Sequence, residues 1–270
     1  MIKEDSVVDH YGAQYGHFAS QLYAEVRAET FGEDIGQNGW LTEDEHNLFV
    51  SWLALESKSR LLDVACGSGG PTLRIAHRTG CTVHGVDVHE QAITAARAQT
   101  EAENLQERAT FFHLDASQTL PFPAASFDGL ICVDAVNHLP QREAVFQEWA
   151  RLLRPGGHLV FTDPIVVSGP LTKEEIAIRS SIGFFLFVPV GIDERLLAES
   201  GFDIVQVVDR TENMAQMARR WHAAREARAV ELRQIEGEAT FAGQQRFFNV
   251  AAQIAAERRL SRFAFQARRI

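Results

Sequence analysis

The chain has 270 residues, 46% of them apolar, and a formal net charge of −10. That is enough apolar matter for one sizeable core and argues against wholesale disorder, while the negative balance argues against general nucleic-acid binding. No apolar run approaches the roughly 18 residues of a membrane span, residues 1–20 do not read as a signal peptide, and Cys66, Cys81 and Cys132 have no metal or disulfide spacing, so a cytoplasmic protein with free buried thiols is expected.

Residues 1–58 read as a helical cap or lid. Tyr11, Tyr15, Phe18 and Leu22 fall at helical spacing. Three glycines interrupt the pattern in FGEDIGQNGWLTEDE, and Thr42 with Glu45 three residues on predicts a capping box for a helix to about Leu55. From Arg60 strands alternate with helices, the strands at 60–65, 82–87, 109–114, 127–133 and 157–163, the helices at 71–79, 89–103 and 141–153. That alternation predicts a doubly wound, mostly parallel sheet within a domain of residues 59–270.

Beyond Pro164 the pattern loosens, and two helical insertions are expected, at about 165–192 and 211–259. Residues 172–182 read as a helix, 183–190 as an apolar aromatic patch, and Asp193 as the cap of a short helix to about Ser200. GFDIVQVVD (201–209) and LSRFAFQAR (260–268) alternate as strands. Between them lies Ala- and Arg-rich helix in two pieces, with breaks near Gly237 and Gly243. Residues 210–270 carry 12 Arg against 6 acids, which fits a solvated helix surface whose Arg stems lie on apolar neighbours.

The stretch that carries chemistry is RLLDVACGSGGP (60–71) followed by Asp87 in VHGVDV. A strand, a turn of small residues and a helix let a ligand approach the backbone, because glycine has no side chain and tolerates positive φ. An acid at the end of the next strand can accept ribose hydroxyls. The NAD fingerprint fails, since Thr72 stands where its third glycine belongs, and no lysine supports a P-loop. What stands here is DxAxGxG: Asp63, Ala65, Gly67 and Gly69.

With GVDV, FFHLDASQTLPFP, SFDGLICVDAVNHL and RLLRPGGHLVFTD in order behind that turn, residues 60–163 resemble the class I S-adenosylmethionine (SAM) dependent methyltransferases. The resemblance implies a seven-stranded Rossmann-like methyltransferase fold and SAM as cofactor. It places Gly67, Gly69 and Ala65 beside the methionine part of SAM and Asp63 near its ammonium. Asp87 falls on the ribose, Val88 on the adenine face, Asp115 and the Ala116 amide on the adenine edge. Val133 and Asp134 line the route to the acceptor. Alanine at 65, where the commonest pattern has glycine, is expected to keep a negative φ.

The N-terminal segment is similar to that of glycine, sarcosine and dimethylglycine N-methyltransferases, which implies Tyr11, Gln37, Asn38 and Trp40 as a closure over SAM. Gln37 and Asn38 stand where such loops carry histidine, which points away from glycine-like acceptors. His138 is the first candidate base, then Asp134 and Asp163. Arg179, Phe184, Phe185 and Phe187 read either as an acceptor wall or, for the phenylalanines, as core packing, with Trp221 and His222 as candidate lid residues. The expected function is methyl transfer to a small, largely apolar molecule, with no metal, no nucleic acid, no membrane and a homodimer as the expected assembly. The rival readings are a SAM-fold enzyme of other chemistry and a SAM-binding regulatory subunit.

Overall fold

The structure, a computed structural model, describes residues 8–270; the first seven residues of the expected cap lie outside the described residues. The strands are β1 (Arg60–Val64), β2 (Thr82–Asp87), β3 (Ala109–His113), β4 (Phe127–Cys132), β5 (Leu153–Val167), β6 (Val188–Pro189), β7 (Phe202–Asp209) and β8 (Leu260–Arg269). They form one sheet in the order β3-β2-β1-β4-β5-β8-β7, with β6 paired to β5. β1 to β5 are parallel; β8 runs antiparallel to β5 and to β7. This is the expected Rossmann-like sheet plus one short strand.

Between β1 and β4 the strand order reverses, so the carboxyl ends of these neighbours open a crevice at a topological switch point. Side chains alternate across the sheet. Leu62 and Val64 pack with Phe146, Trp149 and Phe161 on one face. Leu61, one residue before Leu62, packs with Phe49, Leu73 and Ile93 on the other. The turn Pro155–Gly157 is absorbed into β5 as an irregularity: Leu153 faces Phe127, but His158 faces Gly129.

Helices α1 (His10–Gly16), α2 (Gln21–Phe31) and α3 (Glu43–Leu53) precede the sheet. α4 (Gly70–Thr79), α5 (Glu90–Ala102) and α6 (Arg142–Leu152) connect the parallel strands; α7 (Lys173–Arg179) and α8 (Ile192–Glu199) follow β5. The insertion before β8 is three helices rather than two pieces: α9 (Thr211–Glu226), α10 (Ala229–Glu236) and α11 (Glu238–Ala256). Gly237, at φ +80°, makes one break as expected. Gly243 makes none. It sits inside α11 because a side chain there would collide with Val8, whose Cγ2 would lie 2.4 Å from its Cβ.

Two expected caps are corrected. Thr42 does cap α3, accepting from the Glu45 N–H at 3.4 Å, but the Glu45 carboxylate does not turn back to close the box. It binds Arg262 instead. Asp193 does not cap α8; Gly191 holds that position. Asp193 is buried and bonded to Arg142, which also binds Asp163 at 2.8 Å. In both cases a buried guanidinium outcompetes a local backbone N–H for the carboxylate.

Arg262, fully buried on β8, joins the halves of the molecule. Its Nε lies 2.6 Å from Asp134 just beyond β4, and its Nη1 lies 2.8 and 2.9 Å from the Glu45 oxygens on α3. Burial opposes the charge, but the two carboxylates prevail and hold the guanidinium above its ordinary pKa. Removing it leaves the buried carboxylate of Asp134 without a cation and Glu45 with only Arg210, 3.7 Å away. Arg262→Met is therefore expected to cost about 3–5 kcal/mol in chemical denaturation, and adding Glu45→Gln and Asp134→Asn should recover part of that loss. A single variant as stable as wild type would show the pair to be dispensable.

Candidate active site

The glycine turn follows β1 directly. The Cys66 N–H donates to Val86 O at 3.0 Å and the Gly69 N–H to Cys66 O at 3.1 Å, which folds the chain back on itself. Gly67 (φ +55°) donates its N–H to Asp87 Oδ2 at 2.9 Å. A Cβ at Gly69 (φ +82°) would lie 2.8 Å from Ala96 and 2.9 Å from the Phe111 ring, so only glycine fits. Gly70 is the glycine that sequence spacing does not single out: a Cβ there would sit 2.1 Å from Ile35 O, in the loop between α2 and α3. Ala65 corrects an expectation. Its φ is +58°, not negative, so this alanine is held in the left-handed region that glycine usually fills.

The turn borders a cavity of about 470 Å³, a size typical of small-molecule pockets. Asp63, Asp87 and Asp115, at the ends of β1, β2 and β3, all line it, as do Val88, Ala116 and Val133. Burial, despite a hydrogen bond from Thr72 and with Asp87 adding to it, raises the Asp63 pKa to about 7. Asp87 Oδ1 accepts from the His89 N–H at 2.9 Å and lies 3.0 Å from the His89 ring. Val88 leaves 56% of its surface exposed, an apolar ledge at the cavity rim. Asp115 accepts from the Ser117 N–H at 2.9 Å, and the Ser117 side chain first, with this N–H behind it, holds its pKa below the usual range.

The N-terminal helices and loop close over this floor. α1 places Tyr11 and Tyr15 in the cavity, stacked 6.1 Å apart. Tyr11 Oη lies 2.7 Å from His138 Nε2, while His138 Nδ1 lies 2.9 Å from Phe184 O. A carbonyl only accepts, so Nδ1 carries the proton, and the Nε2 lone pair receives the Tyr11 O–H. Burial lowers the His138 pKa to about 4 and, in the first place, raises that of Tyr11, so both are neutral at ordinary pH. His138 thus faces Tyr11 rather than open space.

Several candidates are placed differently from the sequence reading. Gln37 lines the cavity, yet its amide serves its own loop, donating to Glu33 O at 2.9 Å and accepting from Ile35 N–H at 2.7 Å. Trp40 lines the cavity with its ring stacked on Phe247, and its N–H donates to Asp134 Oδ2 at 3.0 Å. Asp134 also receives the Thr162 hydroxyl at 2.8 Å in addition to Arg262, so its oxygens are engaged by the protein. Asp163, engaged by buried Arg142, is not among the lining residues.

Another wall of the cavity is aromatic. Arg179, Phe184 and Phe185 line it, and Phe187 packs behind them with Ile165 and Leu260. Trp221 lines it too and donates Nε1–H to Gly39 O at 3.1 Å; its neighbour His222 does not. Phe247, Phe248 and His46 also face the cavity. Phe247 and Phe248 gave no distinct signal, because an apolar pair in an amphipathic helix reads as core. His46 follows the α3 capping residues and gave no signal of its own; its Nε2 lies 3.0 Å from Pro71 O, and Nδ1 has no partner.

Residues 62–161 match a protein family described as a methyltransferase domain. The chain is 31% identical over 182 residues to the 27-O-demethylrifamycin SV methyltransferase of Amycolatopsis mediterranei, a match covering 64% of this chain and 66% of that one. It is 30% identical over 151 residues to an O-methyltransferase of Aspergillus nomiae, covering 56% and 67%. The chain spans 58% and 66% of the lengths of the first curated relatives it matches, less than two thirds. A similar solved fold is a sarcosine dimethylglycine methyltransferase of Galdieria sulphuraria, with a TM-score of 0.82, 18% identity, and 96% and 97% of the two chains covered.

Ala65 reports directly on strain in the turn. Left-handed alanine costs about 1–2 kcal/mol, which glycine avoids at a cost of about 0.4–1 kcal/mol in the unfolded chain. Ala65→Gly is therefore expected to leave the melting temperature unchanged or slightly raised, while Ala65→Val, branched at Cβ, should lower stability by more than about 2 kcal/mol. Thermal denaturation checks both, and a clear loss in the glycine variant would contradict the strain.

Proposed function

The chain belongs to the class I SAM-dependent methyltransferases, and on that premise we propose that it moves a methyl group from SAM to a small, largely apolar acceptor. The observation that carries the reading is the single cavity, which joins the glycine turn and its three acids to an aromatic chamber. A regulatory subunit has no need of that second, open compartment.

The residues fit the cofactor. Gly67 leaves the turn bare toward the cavity, where a Cβ would stand 3.1 Å from Tyr15 Oη. Asp63, Asp87 and Asp115 then match ammonium, ribose and adenine amine in order along the floor, with Val88 and Ala116 against the ring. The His89 ring, partly exposed, yields Asp87 Oδ1 to a ribose hydroxyl. Bound SAM supplies a methyl group already activated on a sulfonium, so the protein's main task is proximity and alignment.

Asp134 positions rather than reacts, because it holds Trp40 against the sheet. Tyr11 is the group that touches the acceptor. Its oxygen accepts from the acceptor hydroxyl while its own proton points at His138, whose tautomer the Phe184 carbonyl sets. As the acceptor oxygen takes the methyl group, its proton passes to Tyr11 Oη and the Tyr11 proton to His138 Nε2, so His138 acts through Tyr11. A hydroxyl acceptor agrees with the O-methyltransferase names of the two sequence relatives.

Residues 1–58 act as a cap on the SAM-binding domain of residues 59–270. No described helix is long and apolar enough to cross a membrane. We place the enzyme in the cytoplasm, acting on small molecules and not nucleic acid. A homodimer through the edge strand β7, which exposes Val205 and Val207, completes the reading.

Asp87→Ala removes two charge-assisted hydrogen bonds worth about 1.5–3 kcal/mol each, so binding of S-adenosylhomocysteine should weaken at least tenfold by calorimetry. Unchanged affinity in a folded variant refutes the ribose assignment.

Tyr11→Phe and His138→Gln should each lower kcat at least about tenfold with little change in S-adenosylhomocysteine affinity, and together no more than either alone, since they act as one unit. With the His138 pKa lowered to about 4, the imidazole stays neutral on acidification, and kcat should not fall between pH 8 and pH 6 through this group. Additive losses, or a fall centred near the usual histidine pKa, would separate the two residues.

A further inference from the structure

Arg179, at the end of α7, is only 1% exposed and lines the cavity. Its neighbours are rings. The guanidinium carbon lies 4.4 Å from the centre of Phe247, 5.4 Å from Phe185 and 5.8 Å from Trp40. Its Nε and Nη1 have no hydrogen-bond partner.

The other buried arginines make the contrast. Arg27, Arg142, Arg225 and Arg262 each bind at least one carboxylate. Among the described residues, Arg179 is the buried arginine without an anion. The carboxylate whose field reaches it is Asp134, and Arg262 already holds that one. Burial lowers the Arg179 pKa to about 10, which leaves it charged at neutral pH. Aromatic faces recover part of the desolvation cost of a cation, but a buried charge normally has a counterion. Packing alone would be met by methionine or leucine.

Resting on the methyltransferase reading, we infer that Arg179 is the anchor for a carboxylate on the acceptor, whose apolar body lies between Trp40, Phe185 and Phe247. The cavity wall holds no second Arg or Lys among the described residues, so a monoanion is matched and a phosphate dianion is not. The Phe185 ring lies 4.7 Å from the His138 ring and 5.4 Å from Arg179. The carboxylate and the reacting hydroxyl therefore bind along one wall, and the acceptor is a hydroxyl-bearing apolar acid. The bidentate fork of Arg179 fixes its orientation.

A carboxylate can come from the acceptor or from the methionine part of SAM, and the test separates these sources. The full chain is saturated with S-adenosylhomocysteine and titrated with benzoate or with benzamide, its neutral isostere, by thermal shift and calorimetry. Benzoate is expected to bind at least about tenfold more tightly than benzamide. Arg179→Met should abolish that preference and leave S-adenosylhomocysteine affinity within about threefold.

Equal binding of the two probes, or binding of neither, overturns the inference. So does a preference that survives Arg179→Met. A loss of S-adenosylhomocysteine affinity in that variant also overturns it, by assigning Arg179 to the cofactor's own carboxylate. Should Arg179→Met not fold, Arg179→Lys, which keeps the charge and loses the fork, is expected to bind benzoate more weakly than wild type, and undiminished binding counts against the inference. Failure of wild type to bind S-adenosylhomocysteine is a separate result, which removes the methyltransferase reading itself.

Discussion

The ion cluster of Arg262 with Asp134 and Glu45 is the constraint on which the cavity depends. It brings three segments distant in sequence to one point: α3 before the sheet, the end of β4, and the last strand. Asp134 stands at φ +54°, a left-handed conformation rare for a residue with a side chain. Such a conformation persists where its surroundings over-determine it, and here Arg262, Thr162 and the Trp40 N–H all do so. Trp40 in turn carries the loop that roofs the cavity.

From that anchor the walls follow. The loop of Gly39 and Trp40 is gripped on its other side by the insertion, where Asn213 donates to Trp40 O at 3.0 Å and Trp221 to Gly39 O at 3.1 Å. A second buried pair, Arg225 with Glu236 at 2.6 Å, ties α9 to α10 and receives Tyr23 of α2. The N-terminal helices and the insertion thus share one apolar cluster of Tyr23, Phe31, Trp221, Phe241 and Phe248. Through Trp40, Trp221, Phe247 and Phe248 this cluster also lines the cavity, so a change in the N-terminal helices reaches the cavity wall. Against this background of paired charges, the unpaired Arg179 points to a ligand.

Misreadings at single residues share one cause. Glu45 and Asp193 have the local spacing of caps. Each local preference is worth about 1 kcal/mol. A buried guanidinium without its carboxylate costs several times that, so long-range pairing wins. Gly243 follows the same logic with sterics in place of charge: it reads as a helix break, but contact with Val8 explains it. His138 was legible as a polar residue in the right place. Its partner Tyr11, 127 positions earlier, was legible only as a possible closure over the cofactor.

The sequence by itself determined the sheet, its parallel core and the glycine turn with its three acids, because these rest on signals carried within a few residues. They are the short apolar runs of β1 to β5, buried on both faces in the central strands, the glycines after β1, and an acid at the end of each of the first three strands. Tertiary structure alone decided how the aromatic end of the cavity is connected. The Tyr11–His138 pair, the ring cage around Arg179 and the Arg262 cluster join segments tens to hundreds of residues apart. A buried arginine with a counterion and one without are the same letter in the sequence. Only packing, which excludes water and sets the distance to every carboxylate, distinguishes a structural charge from one left for a ligand.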